Sequence, residues 1–183
     1  MTAMVRGEAI RNALVAVENV AGRTGRAAVE AALPREVRTR ALAVAPREQY
    51  PLAILGEIHR AIESALGQGS LELNRKVGAE LARLDFPGVY RAVLWTLSYE
   101  DVLRRLEEAW RQLSTSGAVR WRVIESGHAV GTVADVVDFH PAMWATLAGR
   151  VEGLLRMCGA SESQATVVRS DATFAELDVR WVP

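Results

Sequence analysis

The apolar positions of this chain change rhythm once, near residue 117. From Gly7 to Leu113 they recur every three or four residues, the spacing of one face of a helix. Ile10, Leu14, Val17 and Val20 make the first stripe, and Gly22 closes it. Further short helices are predicted over residues 26–33 and 34–44, set off by Pro34 and Pro46, because proline suits a helix start and breaks its interior. Leu52, Leu55, His59, Ile62 and Leu66 form the next stripe after Pro51, and Gly67-Gln68-Gly69 ends it as a glycine cap. A helix over 70–84 follows, then a short buried one over 88–97. Ser98, with Asp101 three residues on, caps a last helix of this half. That helix buries Val102, Leu106, Ala109, Trp110 and Leu113, and turns Arg104, Arg105, Glu108 and Arg111 to water.

Beyond Ser114-Thr115-Ser116-Gly117 the period is two. Val119, Trp121 and Val123 alternate with Arg120, Arg122 and Ile124, as in a strand with one buried face. Ser126-Gly127 supplies a turn and residues 129–137 return as a second strand. Pro141 opens a helix that buries Met143, Trp144, Leu147, Val151, Leu154, Leu155 and Cys158 and stops at Gly159. Strands over 164–169 and 173–181, joined at Ser170-Asp171, complete a hairpin–helix–hairpin. The expected fold is α+β: a helical part, 7–114, packed on a C-terminal four-stranded antiparallel sheet, 118–182, as one domain over 1–183. Trp181 alternates onto the buried face of the last strand, so loss of the final residues should weaken the whole domain.

Composition narrows the function. The chain has 183 residues, half of them hydrophobic, with a formal net charge of zero. A clustered basic face is missing, which argues against nucleic acid. Apolar runs fall short of the ~18 residues of a membrane span. Arg6, Glu8 and Arg11 interrupt any signal-peptide core, so the cytoplasm is the expected compartment. Lys76 is the only lysine beside many arginines, a bias that suits a GC-rich genome. A lone cysteine, Cys158, excludes an internal disulfide and a cysteine-based zinc site.

The residues that could carry chemistry are few. His59 lies in an apolar stripe, either bonded locally in the core or facing a ligand. His128 reads as a turn residue and His140 as a capping-region residue; with Asp135 and Asp138 they match no recognised metal-ligand spacing. A nucleophile motif and a glycine-rich phosphate loop are both absent, so neither catalysis nor a cofactor is expected. Gly149 and Gly153 predict close approach of their helix to another backbone. The tryptophans are core residues or the walls of an apolar pocket; the candidate ligand-binding set is His59, Tyr90, Trp95 and Trp144.

Several strings, in this order, carry a resemblance: Gly7-Glu8-Ala9-Ile10, Tyr50-Pro51-Leu52, Val77-Gly78-Ala79-Glu80, Tyr90, Trp144 with Gly149 and Gly153, Gly159-Ala160, and a last strand ending in Trp181. They resemble a paralogous protein family found mainly in myxobacteria. That family is in turn distantly similar to a superfamily of haem-based nitric-oxide sensors, 4-vinyl reductase domains, aromatic-effector sensors and vesicle-tethering subunits. The resemblance implies helices on an antiparallel sheet, a pocket between them and frequent dimerisation. The haem sensors' Tyr-x-Ser-x-Arg string does not occur here; Ser98-Tyr99 and Arg104 have another order and spacing. Of the metal-binding cysteines found in the effector-sensor branch, only Cys158 has a counterpart. The leading expectation is a non-enzymatic regulatory or protein-interaction module (scaffold or adaptor) in bacterial signalling, a homodimer with a protein partner. The alternative is a sensor that binds a small apolar or aromatic ligand between helices and sheet.

Overall fold

The computed structural model describes residues 2–86, 93–94, 96–137 and 139–183. A short strand β1 (Met4–Arg6) runs into helix α1 (Gly7–Ala32), followed by α2 (Arg35–Leu42), strand β2 (Gln49–Pro51) and α3 (Leu52–Ile62). A π-helical turn, Glu63–Gly67, leads to α4 (Glu72–Asp85), and α5 spans Tyr99–Leu113. Then come the hairpin β3 (Ala118–Glu125) and β4 (His128–Ala134), helix α6 (Pro141–Met157), and the hairpin β5 (Glu162–Ser170) and β6 (Ala175–Val182). The last four strands form one antiparallel sheet in the order β3-β4-β6-β5. The α+β architecture expected from the change of period is the one observed. The short helix expected over 88–97 falls mostly outside the described residues.

Local chemistry moves some boundaries. Gly22 closes the first helical stretch as expected: its φ of 73° and ψ of 176° are non-helical, and a second helical stretch continues α1 to Ala32. Ser98 caps α5 as expected, its hydroxyl oxygen accepting from the Asp101 N–H at 3.1 Å. The last strand begins at Ala175 rather than Thr173, because the Asp171 carboxylate accepts from the N–H groups of Thr173 and Phe174 and holds them in a turn. Those bonds also hold the Asp171 carboxyl below its ordinary range. β4 stops at Ala134, before Asp135 turns to a φ of 59°.

Helix α6 is the centre of the fold, with α4 on one side and the sheet on the other. On the sheet's inner face Ala129, Val133, Ala165, Leu177 and Val179 are fully buried beside Trp181. The α4–α6 crossing is closer than side chains normally allow. A Cβ on Gly78 would overlap the Thr146 carbonyl, one on Gly149 the Arg75 carbonyl, and one on Gly153 would lie 2.7 Å from the Ala79 oxygen. The expected close approach at Gly149 and Gly153 is thus found, and its partner is α4.

Polar groups tie the outer strands to helices. At the β5 edge Glu152, almost fully buried, pairs with Arg75 and accepts from the Ala165 N–H at 2.8 Å. Arg75 in turn donates to the Ala165 carbonyl at 2.6 Å. On the opposite edge the Glu107 carboxylate of α5 accepts from the Trp121 N–H of β3 at 2.7 Å. Both edges therefore offer fewer bare backbone groups to another chain.

The C-terminus closes the inner layer. Trp181 is buried, its ring centroid 5.6 Å from that of Tyr99, and its N–H donates to the Gly127 carbonyl at 2.9 Å. Cutting the chain after Val179 should cost about 3–5 kcal/mol, the range for losing a core tryptophan. Urea unfolding of the truncated chain measures this; a midpoint equal to that of the full chain would contradict the packing described.

Candidate ligand cavity

The stripe of α3 that carries Leu52, Leu55 and His59 faces α6 across a cavity of about 80 Å³. Helix α6 contributes Met143, Thr146, Leu147 and Arg150, spaced by three and four so that they share one side. Trp110 of α5, Leu81 of α4 and Phe139, just before α6, together with Val5, Ala9 and Ser114, complete the wall. A smaller lobe of about 60 Å³ adjoins it between α5, β3 and α6, and the two share Trp110, Leu147 and Arg150. The Phe139 ring is fixed between Trp110, at 5.9 Å, and Trp144, at 4.2 Å.

His59 is buried, and its protonation state follows from its neighbours. Thr146 Oγ1 donates its one hydrogen to the Ala142 carbonyl at 2.9 Å, the back-bond typical of a helical threonine. The same oxygen stands 3.1 Å from His59 Nδ1, so it accepts there, and Nδ1 carries the imidazole proton. Nε2 is then the unprotonated nitrogen, able to accept a hydrogen bond. Burial first, then the charges of Arg150 and His140, lower the imidazole pKa to about 3, so the ring is neutral at physiological pH. Asn74, wholly buried, donates to the His59 carbonyl at 3.0 Å and fixes the helix behind the ring.

Arg150 supplies the cavity's charge and its compensation. Its guanidinium pairs with the Asp85 carboxylate at the end of α4, which also accepts from Asn12 of α1 at 3.1 Å. Burial lowers the guanidinium pKa to about 10, which still leaves a cation at neutral pH. Beside the Thr146 and Ser114 hydroxyls, the polar side chains of the cavity are therefore a neutral acceptor and a balanced ion pair, set among apolar walls.

A neutral buried histidine makes stability depend on pH. The imidazole titrates near 6.5 when unfolded and near 3 when folded. Between those values the unfolded chain binds a proton that the folded chain refuses. Stability is thus highest above pH 6.5 and falls as the pH drops through that window, by about 1.4 kcal/mol per unit. Urea midpoints taken from pH 7 to 5 should drop for the wild type and stay flatter for His59→Gln. Equal wild-type midpoints at both ends would show that His59 accepts a proton in place.

Of the expected ligand-binding set, only His59 lines the cavity among the described residues. Trp144 does not: its Nε1 donates to the Asp171 carbonyl at 2.9 Å, and its ring backs Phe139 from the core side. Tyr90 and Trp95 lie outside the described residues. Thr146, Arg150, Leu147 and Trp110 belong to the site and were not singled out for it from the sequence; their distance from His59 along the chain hides the grouping. Of the other histidines, His128 departs from the expected turn and opens strand β4, while His140 lies at the helix start as expected. His128, in the first hairpin, meets Asp178 at 2.5 Å, and His140 caps α6, its Nδ1 accepting from the Ala142 N–H. Burial raises the Cys158 thiol to about 11, which keeps it protonated. Among the described residues, no His, Cys, Asp or Glu cluster is arranged to hold a metal, and no helix is long and apolar enough to cross a membrane.

The arrangement of these helices on the antiparallel sheet is similar to that of solved H-NOX domains. An Fe(II) unliganded H-NOX protein from K. algicida matches 97% of this chain over 97% of its own, with a TM-score of 0.71 and 10% identity. An oxygen-binding H-NOX domain related to soluble guanylate cyclases matches 97% over 94%, at 0.67 and 16%. A Cs H-NOX variant carrying 4-cyano-L-phenylalanine matches 96% over 96%, at 0.70 and 13%. At such identities the likeness is one of fold. No protein-family model and no curated protein matches the chain, so the myxobacterial resemblance rests on its motifs alone.

The described residues do not fit a haem. A porphyrin needs a slot for four joined pyrrole rings and cations for two propionates. The two lobes, at about 80 and 60 Å³, only together come near the scale of a single ring, since an apolar cavity of roughly 150 Å³ holds one benzene. Arg150, the cation of the cavity wall, already faces Asp85. The Tyr-x-Ser-x-Arg string of the haem sensors is missing as well.

Proposed function

We propose that the protein is a non-enzymatic sensor domain whose signal is a small, largely apolar molecule held between α3, α5 and α6. The observation that carries this reading is the apolar cavity with one neutral buried acceptor, His59, and one compensated ion pair, Arg150–Asp85. Few precisely placed polar groups among apolar walls are the usual make-up of a small-molecule site. The fold likeness supports sensing ahead of the adaptor role, because the similar structures include an oxygen-binding domain. A partner protein or second copy of the chain would read the ligand-bound state.

Thermal melting with a panel of ring-sized apolar compounds tests the proposal. Binding to the folded state raises the melting temperature by mass action. Leu147→Phe, which fills space shared by both lobes, should abolish the rise while the variant still folds. A panel without any effect on the wild type, or the same effect on both chains, would refute it.

A further inference from the structure

The smaller lobe contains a donor that the fold leaves unused. Trp121 Nε1 is buried and has no hydrogen-bond partner among the described residues, and Trp121 lines this lobe together with Arg150. Glu107 anchors the Trp121 backbone N–H, and the indole ring lies over Gly131, its cross-strand partner, where a Cβ would overlap it. The donor is therefore preset, and a buried N–H without an acceptor is a standing cost that a bound oxygen would remove.

We propose, building on the sensor reading above, that this lobe receives the oxygen of an uncharged carbonyl compound, a ring-sized ketone or similar molecule. Trp121 Nε1 donates to that oxygen and the Arg150 guanidinium polarises it. Charge decides between a carbonyl and a carboxylate. Asp85 already balances Arg150, so a carboxylate would add an uncompensated charge among Phe86, Leu106 and Val119. A neutral carbonyl brings the acceptor without that charge.

The test uses the full chain labelled with ¹⁵N-tryptophan, its Trp121 indole signal assigned by Trp121→Phe, and three probes: cyclopentanone, cyclopentane and cyclopentanecarboxylate. Cyclopentanone should move the Trp121 indole proton downfield, saturably and more than any other indole. It should bind roughly tenfold more tightly than cyclopentane, the scale of one hydrogen bond made to a preset donor. Trp121→Phe should reduce its affinity to that of the hydrocarbon. Equal affinity for cyclopentanone and cyclopentane, an unmoved Trp121 signal, or tighter binding of the carboxylate would overturn the ligand class while leaving the sensor reading intact. Failure of all three probes to bind would overturn both. The wild-type titration decides the matter even if the variant folds poorly.

Discussion

Gly149→Ala should lower the melting temperature by about 6–12 °C, although alanine is the better helix former. In an open helix the exchange would stabilise by up to about 1 kcal/mol. Here the new methyl would sit inside the Arg75 carbonyl of α4, and no rotamer change can relieve a clash between Cβ and backbone. The helices must part, at the upper end of overpacking costs, about 3 kcal/mol. For a chain of this size each kcal/mol is worth about 2–4 °C. Gly67→Ala is the control, since nothing lies nearer its Cβ than 3.8 Å. A melting temperature for Gly149→Ala at or above that of the wild type would mean that α4 and α6 are not in backbone contact.

Glu152→Ala should cost about 3 kcal/mol, because it removes the buried carboxylate of a partly buried ion pair. The loss is double. Arg75 keeps its charge without the carboxylate, and the Ala165 N–H at the sheet edge loses its acceptor. Glu152→Gln should recover part of the stability, since an amide oxygen still accepts from Ala165 while the charge on Arg75 stays unpaired. Urea unfolding separates the three chains. Should Glu152→Ala lie within about 0.5 kcal/mol of the wild type, as an exposed substitution would, the side chain is not the buried link described.

These two residues show where the sequence was legible and where it was not. Gly149 and Gly153 signalled close helix packing on their own, because only a missing side chain makes such spacing useful. The change from a helical to a two-residue period at Gly117 was equally plain, since burial on one face imposes it directly. Glu152 gave no such signal. Flanked by Arg150 and Arg156 on α6, it reads as part of a solvated charged face, and its burial depends on Arg75, 77 residues earlier in the chain. Arg150 was hidden in the same way, its partner Asp85 being 65 residues away.

The site was legible only at His59, the one polar residue in its stripe. Leu52 and Leu55 beside it look the same whether they face a cavity or a filled core. Trp144, read as core or as a pocket wall, stands outside this cavity, because Asp171 takes its indole N–H and the ring supports Phe139 from behind. The missing Tyr-x-Ser-x-Arg string was the most telling feature of the sequence, because it separates the H-NOX fold from the residues that would hold a porphyrin.

Mass spectrometry under native conditions, on protein purified gently from the organism that makes it, tests that separation most directly. The expected spectrum shows the folded chain with an added mass of one small organic molecule, well below that of a porphyrin, which leaves when His59 and Leu147 are replaced. A chain carrying the mass of haem, with the matching absorption band, would contradict the account.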